Sequence, residues 1–164
     1  MTKKKKESDE TLAFVAEVFE KQVPFNRALG LRVDINNEAQ VKVSFRMKDK
    51  LVGNFIRGTL HGGVIFSALD VVWGLVAFVN LCPRRKSRLS DEEIALFSRL
   101  GTIDMRVDFL RPGLGEEFVA TGTVLRVGRK VAVTRMELHN DEDSLIAVAT
   151  GAYSTGAYTV GLWR

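Results

Sequence analysis

Two hydrophobic rhythms divide this chain. Between residues 9 and 24, Leu12, Val15, Ala16, Val18 and Phe19 recur among charges at helical spacing. That spacing predicts an amphipathic helix stopped by Pro24. Residues 25–30 read as a turn closing at Gly30. Residues 31–35 and 41–47 alternate apolar with polar side chains and predict two strands, with Asn36-Asn37 as a hairpin signal between them. Residues 48–60, holding Gly53 and Gly58, read as a loop. Alternation returns after residue 99 and predicts four strands in a meander. In the first, Ile103, Met105, Val107 and Phe109 share a face. The others fall at about 117–127, from about 130, and at about 144–155, the last following a turn at residues 140–143.

A different pattern separates the two alternating regions. Residues 61–81 are apolar almost throughout, and between Gly62 and Cys82 the only charge is Asp70. The length approaches the roughly 20 residues of a bilayer span. A carboxylate near the middle of a span costs about 2.5 kcal/mol or more. Three glycines, an Asn and the flanking strands also favour a helix buried inside a water-soluble fold. The expected order is helix, two strands, long apolar helix, insert, four strands. An antiparallel sheet curled around one central helix satisfies it, an α+β architecture. One sheet covers one side of such a helix, and a second copy of the chain is the simplest cover for the other.

Composition narrows the picture. With 164 residues and 46% hydrophobic content, the chain suits one domain with a sizeable core. The formal charge is +4. Lys3 to Lys6 are followed at once by Glu7, Asp9 and Glu10, so the first ten residues carry a net +1. This is too little for a nucleic-acid arm, and residues 1–8 read as a disordered start to a single domain over 9–164. The aromatic residues sit in apolar contexts, without a basic-aromatic platform for nucleic acid. A single cysteine, Cys82, excludes an internal disulfide framework and fits the cytoplasm. With two histidines besides, a Cys/His zinc site is not expected. Residues 82–99 form an insert, opening with basic residues and continuing through Ser90-Asp91-Glu92-Glu93, a capping-box start.

The chemistry concentrates at the head of the apolar helix. His61-Gly62-Gly63 opens it, and Asp70 follows nine residues after His61. The first turn of a helix presents free N–H groups and a positive dipole end, and glycine lets a ligand approach them. A carboxylate in such an apolar row needs compensation, because an unpaired buried charge costs several kcal/mol. Taken alone, Asp70 reads equally as a structural or a functional acid. Together with the segment from Thr102 to Gly113, which closes on Phe109-Leu110-Arg111-Pro112-Gly113, and with Val127-Gly128-Arg129-Lys130, the motif resembles the hotdog-fold acyl-CoA thioesterases of the phenylacetate-pathway, PaaI-like branch. The resemblance runs over about residues 25–156.

That resemblance implies a hotdog fold dimerising into a double hotdog, or a tetramer of dimers, and hydrolysis of an acyl-CoA thioester without a cofactor or metal. It assigns Asp70 as base or nucleophile and the Gly62 N–H as oxyanion donor, a group typically worth about 2.7–4 kcal/mol in the transition state. His61 sets up the turn, and Asn54 is a candidate second ligand for the carbonyl, equally readable as a loop Asn. Gly74, one turn after Asp70, stands where some relatives carry a hydroxyl. Gly63, Phe66 and Trp73, with Phe78, would line the acyl site. Arg126, Arg129 and Lys130 at a hairpin are candidates for the coenzyme A phosphates, with Arg84, Arg85 and Lys86 as a rival set. Gly62 and Asp70 are eight residues apart, about 12 Å along one helix, so they cannot both touch one thioester carbon. Two antiparallel copies of the helix would bring Gly62 of one chain to Asp70 of the other, which makes the site a shared one. An apolar acyl chain of at least medium length, or an aryl group, is expected. The alternatives are a non-catalytic acyl-CoA sensor and a hotdog hydratase or dehydratase. The sensor predicts no acid at position 70, where Asp70 stands, and the His-Phe-Pro signature of the dehydratases is absent.

Overall fold

A computed structural model describes residues 3–37, 40–81, 100–128 and 130–155. The insert at 82–99, with Cys82, Arg84, Arg85 and Lys86, lies outside the described residues, as does Arg129. Helix α1 spans Lys3–Glu17 and continues as a π-helical turn over Val18–Gln22. It therefore runs back into the segment expected to be disordered. Pro24 does not simply end that helix. It sits in the first turn of a second, α2, over Pro24–Leu29, where its missing N–H costs nothing. Gly30, expected in a turn, caps α2 in the left-handed region at φ 75°.

Strands β1 (Arg32–Asn37) and β2 (Gln40–Arg46) form the first hairpin. The expected loop at 48–60 holds a 3-10 turn, Asp49–Leu51, and a small hairpin of β3 (Val52–Asn54) and β4 (Thr59–Leu60). Then come α3 (Gly62–Leu81), β5 (Leu100–Phe109), β6 (Glu117–Val127), β7 (Val131–Asn140) and β8 (Leu145–Thr155). Among the described residues, six strands make one antiparallel sheet in the order β1-β2-β6-β7-β8-β5. Only β6, β7 and β8 form a meander. β5 crosses to the far edge and pairs with β8, while β6 pairs with β2. Alternation fixes which face a side chain takes but not which strand lies alongside, so the four-strand meander is corrected here.

The shared face expected for β5 is also interrupted. The register slips between Thr102 and Asp104, leaving Ile103 without a paired residue and exposed. Met105 and Val107 pack on the core, whereas Phe109 is 55% exposed.

Helix α3 packs on β2, β5, β6, β7 and β8. Two glycines in the sheet let it come close. A Cβ at Gly122 would fall 2.6 Å from Val72, and one at Gly151 would fall 2.8 Å from the Trp73 ring. Residues 72–79 are buried within this one chain, so its C-terminal half needs no second copy as cover. What stays open is a stripe on the N-terminal half: Gly63, Phe66 and, partly, Ser67, Asp70 and Val71.

Candidate active site

The turn before α3 is held from two sides. The His61 N–H donates to the Leu51 carbonyl at 2.8 Å, and the Leu60 N–H donates to the Gly113 carbonyl at 2.9 Å. Gly113 must be small, because a Cβ there would stand 2.8 Å from the Leu60 Cβ. Gly113, which closes the later motif, thus serves the His61 turn. Once placed, His61 uses its ring as a helix cap: Nδ1 accepts the Gly63 N–H at 2.8 Å. The neutral ring then carries its proton on Nε2 and has no free nitrogen to act as a base. The His61 carbonyl accepts the Val64 and Ile65 N–H groups. Of the first four helical amides, Gly62 alone has no acceptor among the described residues.

Asp70 lies two turns along the same uninterrupted helix, half-buried. Thr102 Oγ1, on β5, donates to Asp70 Oδ1 at 2.9 Å. Burial raises the Asp70 pKa above its ordinary 3.8, and the Thr102 bond pulls it back. Tyr153 stands across the sheet from Thr102, its direct partner in the β5–β8 register. Burial raises the phenol above its ordinary pKa of 10.0, the Asp70 charge raises it further, and the Thr102 hydroxyl opposes both. Helix residue 74 supplies no hydroxyl, but the sheet brings two towards the acid. Sequence spacing cannot reveal either, because they reach Asp70 through strand pairing over 32 and 83 residues.

The remaining candidates separate. Asn54 Oδ1 accepts the Ile56 and Arg57 N–H groups at 3.1 and 3.2 Å, closing its own turn. Phe66, one turn before Asp70, is 41% exposed on the open stripe. Trp73 and Phe78 are fully buried core residues, so neither lines an open acyl site within one chain. Arg126 and Lys130 are exposed at the β6–β7 turn. That turn lies at the Asp70 end of the sheet, since the register runs Thr102, Tyr153, Ala132, Val127 across four strands. Three strand spacings separate the ends of this row, about 14 Å. A cavity of about 690 Å³ between α1 and β1, lined by Leu12, Val33 and Ile35, does not include Asp70.

A free helix-terminal amide, a compensated carboxylate on the same apolar helix and an antiparallel sheet across it define a hotdog protein of the thioester-hydrolase class. The thioesterase superfamily model matches residues 57–147, and the chain belongs to that superfamily. It is 46% identical to the medium/long-chain acyl-CoA thioesterase YigI of Escherichia coli K12, over 91% of this chain and 96% of that protein. A Shewanella oneidensis crystal structure related to the thioesterase superfamily is 47% identical. It superposes with a TM-score of 0.83, covering 91% of this chain and 97% of that one. The PaaI protein of the Escherichia coli phenylacetic acid degradation operon, 19% identical with a TM-score of 0.70 and covering 90% of this chain and 94% of its own, shares the fold.

Proposed function

We propose that this chain hydrolyses medium- to long-chain acyl-CoA to the free acid and coenzyme A, in the cytoplasm, as a homodimer or a tetramer of dimers. The observation that carries the reaction is the Asp70 carboxylate held by Thr102 on a helix whose Gly62 amide is free. Asp70 takes a proton from water as the water oxygen bonds to the thioester carbon, or a carboxylate oxygen of Asp70 attacks that carbon and water then releases the acyl group. The carbonyl oxygen accepts the Gly62 N–H of the second chain. The C–S bond breaks, and the sulfur leaves as the thiol after gaining the proton.

The acyl range rests on the 46% identity to a medium/long-chain thioesterase and on Phe66 beside Asp70. Arg126 and Lys130, three strands from Thr102, suit the phosphates of coenzyme A, and Arg129 belongs to the same turn. Cytoplasmic placement rests on the single cysteine. By length and composition α3 passes for a membrane span, but it is mostly buried in the fold.

Thiol release from a panel of acyl-CoAs tests the reading. Each methylene buried is worth about 0.8 kcal/mol, so kcat/KM should climb with chain length until the site ends. A preference for acetyl-CoA would contradict the acyl assignment, and no release from any member would remove the enzymatic one.

A further inference from the structure

Resting on the thioesterase reading of Asp70, we infer that Tyr153 is a positioning residue for this acid: its phenol hydroxyl, seated in the space that Gly74 leaves open, completes with Thr102 a pair of hydroxyls that orient the Asp70 carboxylate.

The geometry begins with Gly74. It lies four residues after Asp70, on the same face of α3 and one turn on. A Cβ at this position would stand 3.3 Å from Tyr153 Oη and 3.8 Å from its Cζ. The hydroxyl therefore occupies the volume a side chain at 74 would take, beside Asp70, but it arrives from β8. Its ring is clamped in that direction. It meets the Trp73 indole edge-on, with centroids 4.8 Å apart and planes at 79°. Trp73 reaches that position because Gly151, two residues before Tyr153, has no side chain to exclude it. On the other side Tyr153 faces Thr102 across the β5–β8 ladder.

Chemistry then separates a positioning role from packing. Contact with Trp73 needs only the ring, which phenylalanine supplies. A hydroxyl on a half-buried side chain calls for a polar partner, which phenylalanine would not need. Thr102 has one hydroxyl proton, which it gives to Asp70, and its oxygen remains able to accept another. Burial and the Asp70 charge both hold Tyr153 neutral, so it keeps a proton to donate. Burial and the Thr102 bond are the two causes resolved for Asp70 itself. A neutral hydroxyl next to these two groups favours the ionised carboxylate and limits its rotation.

Tyr153→Phe tests this, because it removes one oxygen and keeps the ring. The expected result is a fall in kcat of about tenfold, the order of one hydrogen bond lost behind the Thr102–Asp70 contact. KM for the best acyl-CoA and the melting temperature should hold. The acid limb of the kcat–pH profile should move to higher pH. The Asp70 carboxyl carbon, followed by NMR without substrate, should titrate at higher pH in the same variant. Adding Gly74→Ser to Tyr153→Phe should return part of the lost kcat, because the helix then supplies a hydroxyl to the vacated volume. An unmoved Asp70 titration in Tyr153→Phe would overturn the inference, whether kcat is intact or the loss lies wholly in KM or melting temperature. The titration needs no turnover, so failure of the wild type to hydrolyse any acyl-CoA would count against the functional reading and leave this test standing.

Discussion

The Gly63 N–H donates to Nδ1 of His61 at 2.8 Å, and this bond decides which amide at the head of α3 is left for a ligand. With Gly63 engaged and the next two amides on the His61 carbonyl, the Gly62 N–H remains. A Cβ at Gly63 would lie 3.0 Å from that same Nδ1, so the second glycine of the motif makes room for the cap.

His61→Ala removes a helix cap. A cap is worth about 1 kcal/mol, which for a domain of this size lowers the melting temperature by about 2–4 °C. Turnover per folded molecule should fall by less than about tenfold, against the 10²–10⁴ attached to a general base. Calorimetry paired with active-site-normalised kcat checks this. Unchanged melting with a loss of 100-fold would make His61 a proton-transfer group after all.

Asp70→Asn should lose about 100-fold or more of kcat, because the amide neither takes a proton nor attacks carbon. Thr102 can still donate to the amide oxygen, so the fold should survive. The sign of the stability change follows from the raised Asp70 pKa. Protonation favours the folded state, so this contribution is complete below 3.8 and is lost as pH rises through the raised folded value. At neutral pH the wild type holds a half-buried charge that the variant lacks. The variant should therefore melt no lower than wild type at pH 7, with any advantage fading near pH 4. A melting temperature that drops at neutral pH would mark Asp70 as a structural carboxylate.

Mixed dimers test the shared site. Gly62→Val should fit within its own chain, since the added Cβ meets the Phe109 ring at 3.6 Å, an ordinary contact. Asp70→Asn chains supply an intact Gly62, and Gly62→Val chains supply an intact Asp70. Equal amounts refolded together give about half heterodimers, each with one undamaged site, so about a quarter of wild-type activity per site should return. Well-folded mixed dimers without activity would place both groups in one chain.

The sequence carried the helix and its motif well, because an apolar run with one acid and a glycine-rich start has few other readings. The six strands of the main sheet were legible from alternation, from β2 with Val41, Val43 and Phe45 to β7 with Ala132, Thr134 and Met136, whereas the short β3 and β4 fell in a segment read as loop. Strand neighbours were not, since nothing in the alternation of β5 says that it lies beside β8. No role for Thr102 or Tyr153 is legible either, since the fold of β5 against α3 brings Thr102 to Asp70 and the β5–β8 register brings Tyr153 to Thr102. For Trp73 and Phe78 the helical spacing near Asp70 leaves both a core place and an acyl-pocket lining open. The depth of the sheet over the second half of α3 makes them core. For Asn54 the sequence leaves carbonyl ligand and loop residue equally open, and its Oδ1 accepts two N–H groups of its own turn.

The pairing of β5 with β8 also sets an order of assembly. Translation delivers the buried face of α3 long before the strand that closes over Trp73. A nascent chain that ends at Asn140 has made the apolar helix, β5, β6 and β7, but not the Tyr153 ring or the ladder that joins β5 to the sheet. Until the last strand emerges, β5 has no hydrogen-bonded neighbour and Trp73 lacks part of its cover. Contacts so distant along the chain close slowly. The interval between synthesis of α3 and docking of β8 is thus when this protein is most exposed to aggregation and has most use for a chaperone.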